Sequence, residues 1–152
     1  ASLREHLASQ RNEKQLRKFI HNDYESLVNK ADKRMKQFQS YLPKPDKRLL
    51  TEHPEYAWEF IKGSIESYRQ GIDGVVQEWK LYVADWQIDL SKIQFPIALW
   101  YGKDDKMAPY YRGNYYNKIL DNSELKLIPD EGHFSLIRNH LEEILIGLRR
   151  TQ

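Results

Sequence analysis

The sequence predicts an α/β chain that is predominantly helical, with a helical first half followed by a β-α-β-α series. Three observations carry this. Apolar residues recur at three- and four-residue steps through much of the chain up to Val83. Pro96-Ile97-Ala98-Leu99-Trp100-Tyr101 is then a continuous apolar run, as long as a strand buried on both faces of a parallel sheet. A second short run, Leu125-Lys126-Leu127-Ile128-Pro129, follows, and helical patterns come after both.

Taken in order, Ser2 caps a first helix reaching about Ile20, with Leu3, Leu7, Leu16, Phe19 and Ile20 on its apolar side. Ala8 to Lys14 is so polar that a break is expected there. Asp23 is the predicted cap of a second helix, in which Tyr24, Leu27, Val28, Ala31, Met35 and Phe38 recur at helical spacing until Pro43 and Pro45 stop it. Thr51, with Pro54 just inside, announces a third helix with the stripe Ala57, Phe60, Ile61, Ser64, Ile65 and Tyr68. After a break at Gly71, a fourth places Ile72, Val75, Val76, Trp79, Tyr82 and Val83 on one face. Beyond the first strand, Pro109 suits a helix start, with Tyr111, Tyr115, Tyr116, Ile119 and Leu120 as the apolar side and Asn122 as the stop. The last helix carries Leu136, Ile137, His140, Leu141, Ile144, Leu145 and Leu148. Two parallel strands joined by a helix make one crossover unit.

Composition bounds the function. At 152 residues the chain is long enough for one domain with a real core. Its 24 basic and 22 acidic residues nearly balance, which gives no reason to expect nucleic acid or an anionic membrane as partner. No run approaches a membrane span in length. There is no cysteine, hence no disulfide framework and no thiol nucleophile, in keeping with a cytoplasmic protein. His6, His21, His53 and His140 read as solvated or structural, and neither a metal nor a cofactor is expected. Trp58, Trp79, Trp86 and Trp100 read as core, and Lys30 to Lys36 as a solvated helix face.

The chemistry gathers in two loops. Gly102-Lys103-Asp104-Asp105-Lys106-Met107-Ala108-Pro109 leaves the first strand and Asp130-Glu131-Gly132-His133-Phe134-Ser135 leaves the second. Working residues of open α/β sheets collect outside the carboxyl ends of strands. An imidazole oriented by a carboxylate is held in one tautomer and stabilised when it takes a proton, which activation of a hydroxyl requires. Either residue alone has an ordinary reading, as a turn aspartate or a loop histidine. Their conjunction carries the inference.

On these residues the stretch from about Gly71 to the end resembles the C-terminal part of the α/β-hydrolase fold. The resembling features are Trp86-Gln87-Ile88-Asp89-Leu90 leading into Ile93-Gln94-Phe95-Pro96, the G-x-x-D-x-x-x-P turn, the Gly-His-Phe loop and an amphipathic final helix. Residues 1–70 are similar to that family's helical cap, leaving 71–152 as part of the hydrolase core. The resemblance implies that Asp105 is the triad acid and His133 the triad base, with Asp104 the competitor for the acid role. It also implies hydrolysis of an acyl compound, esterase-like, by a serine.

That serine has no visible place here. The family's nucleophile sits on a G-x-S-x-G turn ahead of the acid and the histidine, and no such pentapeptide occurs. The chain is therefore expected to be the distal piece of a longer hydrolase, inactive by itself. Two strands are not a stable sheet alone, so association with a missing N-terminal half, or with a second copy through exchanged elements, is expected. The alternative is a non-enzymatic helical interaction module that retains the hydrolase motifs. A third use would have Asp105 and His133 move a proton without a covalent intermediate.

Overall fold

Helix boundaries fall where a backbone donor or acceptor finds a local partner, and this moves several of them from their predicted places. In the computed structural model, which describes residues 3–10 and 12–149, α1 spans Leu3–Ser9 and α2 spans Glu13–Asn29. The break between them lies within the polar stretch expected to hold it. Asn12 caps α2, its side-chain oxygen accepting from Gln15 N at 3.2 Å. Ser2, the predicted cap of the first helix, lies outside the described residues.

Asp23 is no cap, because α2 runs through it. Its carboxylate accepts instead from Arg34 at 2.7 Å and from the Tyr68 hydroxyl at 3.2 Å. α3 (Ala31–Tyr41), α5 (Pro54–Glu66) and α6 (Asp73–Tyr82) follow, with Gly71 at φ 89° forming the break before α6. Ala8, Leu16, Ile20, Leu27, Met35, Ala57, Ile61, Val75 and Val76 are buried apolar side chains on these helices. Trp58 and Trp86, read from the sequence as core, are exposed at 41% and 63%. Trp86 spends its indole N–H on the Leu81 carbonyl at 2.7 Å.

Contact divides the chain into two compact units, one formed by residues up to 40 with 54–87 and the other by 41–53 with residues from 88 onward. The segment 41–53 holds α4 (Lys44–Glu52), a helix the prolines seemed to forbid. Pro43 is its N-cap and Pro45 lies in its first turn, where a missing N–H leaves no helical bond unmade. Thr51 belongs to α4 rather than capping α5, and its hydroxyl donates to the Lys47 carbonyl at 2.7 Å.

The second unit holds the only sheet among the described residues. β1 (Ile97–Gly102) and β2 (Ser123–Ile128) pair in parallel with Leu99 opposite Leu125 and Trp100 opposite Lys126. α7 (Tyr110–Ile119) and α8 (His133–Arg149) cover opposite faces. A Cβ on Gly113 of α7 would strike Tyr101 and Leu125, so that face is fixed by close approach. On the other face the Trp100 ring lies 6.3 Å from that of His140 in α8, and Lys126 Nζ sits 4.4 Å over the Trp100 ring. The fold is thus predominantly helical with a small parallel sheet between helices.

Two surfaces of this unit stay open. Ile97 N donates to Asn122 O and Lys103 N to Ile128 O, both at 2.9 Å, so a parallel ladder turns the peptide groups of Ala98 and Trp100 away from β2. On α8, Leu136 is buried, while Ile137, Leu141 and Leu145 form an exposed apolar stripe. Tyr111 and Tyr115 of α7, expected on its apolar side, are exposed at about 60%, while Leu120, expected there too, is buried and Gly113 makes the close approach to the sheet. No helix among the described residues is long and apolar enough to cross a membrane.

Candidate active site

Both predicted loops leave the carboxyl ends of neighbouring strands, and backbone holds them together. Asp104 N donates to Glu131 O at 3.0 Å. A Cβ on Gly102 would lie 2.7 Å from the Glu131 carbonyl carbon and 2.8 Å from Gly132 O, so only glycine fits this crossing. Asp105 is buried in the resulting turn. Its Oδ1 accepts from Met107 N at 2.7 Å and Ala108 N at 2.8 Å, which fixes the carboxylate plane. Oδ2 then faces His133 Nδ1 at 2.9 Å. Asp104 is exposed, with no bond to His133. Of the two candidate acids, Asp105 is the one brought to the histidine.

His133 is the first residue of α8. Asp130 turns the chain into that helix at φ 56°, a left-handed conformation that aspartate tolerates better than most residues. The N-cap position falls on Gly132, which has no side chain to satisfy the first-turn N–H groups. Asp46, fully buried on α4, supplies what Gly132 lacks. Its Oδ2 accepts from His133 N at 2.9 Å, and its Oδ1 from Phe134 N at 3.0 Å and Ser135 N at 2.9 Å. A Cβ on Gly132 would occupy the space of that carboxylate. Ser135 closes the arrangement, its Oγ accepting from Gly132 N at 2.8 Å as the third helical residue of a capping box does.

Sequence reasoning missed Asp46. The one available signal was negative: a helix starting at His133 with glycine before it has no local cap.

The electrostatics follow from these contacts. The hydrogen bond to Asp105 outweighs partial burial and, with the charges of Asp105 and Asp46, raises the His133 imidazole above its ordinary range. Burial pushes the Asp105 carboxyl up, but the His133 hydrogen bond, the Ala108 and Met107 N–H groups and the histidine charge together hold it below the usual carboxylate range. With Nδ1–H given to Asp105, the neutral imidazole keeps its lone pair on Nε2. That nitrogen has no hydrogen-bond partner among the described residues, and the ring is about one-third exposed. The nearby Ser135 is buried, with its oxygen engaged by Gly132, and does not serve as the attacking group.

A stability prediction follows, with its sign fixed by the two shifts. Because His133 is raised from 6.5, its contribution is complete below that value and disappears as pH rises through the folded-state value. Because Asp105 is lowered from 3.8, its contribution is present above that value and disappears as pH falls through the folded-state value. His133→Gln therefore lowers the melting temperature more at about pH 5.5 than at about pH 9, the two sides of the imidazole titration. Equal losses at both would show that the pair is not ionised as described.

Another histidine of the unit, His140 of α8, lies against Glu131 at 3.5 Å and Glu143 at 3.3 Å. Glu131 is buried, with one carboxylate oxygen bonded to Asn139 at 2.9 Å. No family model, curated protein or solved structure matches this chain.

Proposed function

We propose that Asp105 and His133 are the acid and base of an α/β-hydrolase that cleaves acyl compounds, esters foremost, with its serine nucleophile in polypeptide outside these 152 residues. One observation carries the reading: a buried carboxylate, oriented by two backbone N–H groups, lies 2.9 Å from Nδ1 of an imidazole whose Nε2 is open. In such an enzyme Nε2 takes the proton of the attacking hydroxyl and returns it to the leaving group. Asp105 holds the tautomer and stabilises the imidazolium. The free side of β1 and the exposed stripe of α8 support a nucleophile-bearing partner segment whose strand pairs along β1. A second copy of the chain is the alternative occupant of that edge.

The test is turnover of 4-nitrophenyl esters. Loss of the serine alone costs about 10⁶-fold in a triad enzyme, so the 152-residue chain is expected to show no activity above background. A longer polypeptide that adds a G-x-S-x-G elbow is expected to turn over and to lose activity with His133→Ala. Turnover by the short chain that His133→Ala abolishes would overturn the assignment of the nucleophile to another segment. A longer enzyme indifferent to His133→Ala would overturn the reading itself.

A further inference from the structure

Capping helices locally is the rule, and α8 breaks it in a way that bears on His133. Glycine at the N-cap leaves the first-turn N–H groups to a carboxylate delivered from α4, 87 residues earlier than His133. A local serine at 132 would satisfy one of these donors, that of the second or third residue, with no help from α4. Asp46 takes all three and sets its carboxylate directly behind the backbone of the residue that must become a cation. Imidazolium formation at a helix N-terminus is opposed by the helix dipole, whose positive end lies there. A carboxylate on that terminus opposes the dipole. The charged groups acting on the ring are Asp105, from the loop after β1, and Asp46, from α4. Asp105 meets the ring edge and Asp46 the main chain.

We propose that Asp46 is a positioning residue for His133: it fixes the first turn of α8 so that Nδ1 meets Asp105, and it offsets the helix dipole when Nε2 takes a proton. Its catalytic significance rests on the hydrolase reading above, but its action on the imidazole does not. Gly132 and Ser135 are part of the same device, the first by leaving room for the carboxylate and the second by holding the remaining N-cap N–H.

The test is an NMR titration of the His133 imidazole in the 152-residue chain, which needs no nucleophile. Asp46→Asn keeps the size and removes the charge, its carbonyl oxygen staying with Phe134 N and Ser135 N while the bond from His133 N is lost, and the His133 titration midpoint is expected to move to lower pH while near-UV circular dichroism stays native. An unmoved midpoint in a folded variant overturns the proposal and leaves Asp46 a cap alone. The second variant, Asp46→Ala with Gly132→Ser, places a local hydroxyl cap in the vacated space. Its midpoint is expected to lie below that of the parent chain despite the restored cap, and equality with the parent overturns the proposal. If neither variant folds, the proposal also fails, since Asp46 then acts on folding rather than on His133. Esterase assays of the longer polypeptide separate the two claims: a shifted midpoint in a protein with no His133-dependent turnover sinks the hydrolase reading and spares this one.

Discussion

Asp105→Asn in the hydrolase proposed above is expected to lower kcat by about 10⁴-fold, the loss that the same change produces in a serine-protease triad. The local geometry states why. Met107 N and Ala108 N both donate to Oδ1, so an asparagine placed here must turn its carbonyl oxygen toward them and its amide nitrogen toward His133. The amide then donates to Nδ1, which becomes the acceptor, and the ring proton moves to Nε2. An Nε2–H imidazole cannot take a proton from a hydroxyl. Nitrogen chemical shifts of His133 in the 152-residue chain check the tautomer directly, and esterase rates in the longer polypeptide check its consequence. An unchanged rate would move the acid role away from Asp105, with Asp104 next in line. An unchanged tautomer would contradict the hydrogen-bond assignment at Oδ1.

Asp105 and His133 were legible because each loop follows an apolar strand and carries its own turn chemistry within a few residues. Gly102, Asp105 and Pro109 are local signals for a strand end, an aspartate turn and a helix start. Asp46 was not legible, since its three donors lie 87 to 89 residues away and nothing near it in sequence marks a carboxylate committed to another helix. The same non-locality explains α4. Two prolines in three positions read as a terminator, whereas they occupy the cap and first turn of a helix that docks on α8.

Apolar periodicity also overstated burial. The final helix shows a wide apolar face in sequence, and the structure divides it into an inner side at Leu136 and an outer stripe at Ile137, Leu141 and Leu145. A period of 3.6 residues identifies a helix and one of its faces, but a helix with apolar residues on more than one side does not say which side has a partner. Similarly, the tyrosines of α7 promised packing that Gly113 provides, because close approach of a backbone leaves no hydrophobic signature. The open edge of β1 and the outer stripe of α8 are therefore properties of the folded chain, and they motivate the partner segment proposed above.

Gly102→Ala is the stability prediction with the largest effect. The added methyl would meet the carbonyl carbon of Glu131 at 2.7 Å and the oxygen of Gly132 at 2.8 Å, and both neighbours are backbone rather than the tips of movable side chains. Relief requires the loops to separate, which loosens the Asp104 N to Glu131 O bond and draws Asp105 away from His133. Overpacking of this kind costs about 3 kcal/mol, which corresponds to a melting-temperature drop of roughly 6–12 °C for a chain of this size. Gly63→Ala is the matched control: its methyl meets nothing within 4 Å at an exposed position of α5, and exchanging glycine for alanine inside a helix stabilises by about 1 kcal/mol. Opposite signs for the two substitutions in thermal denaturation are the expected result. If Gly102→Ala melts with the parent protein, the loops are not in contact through their backbones, and the distance between Asp105 and His133 is not set by the crossing at Gly102. In that event, the Asp105→Asn effect would have to come from a pair that side-chain interactions alone hold together, and the His133 titration in Gly102→Ala would match that of the parent.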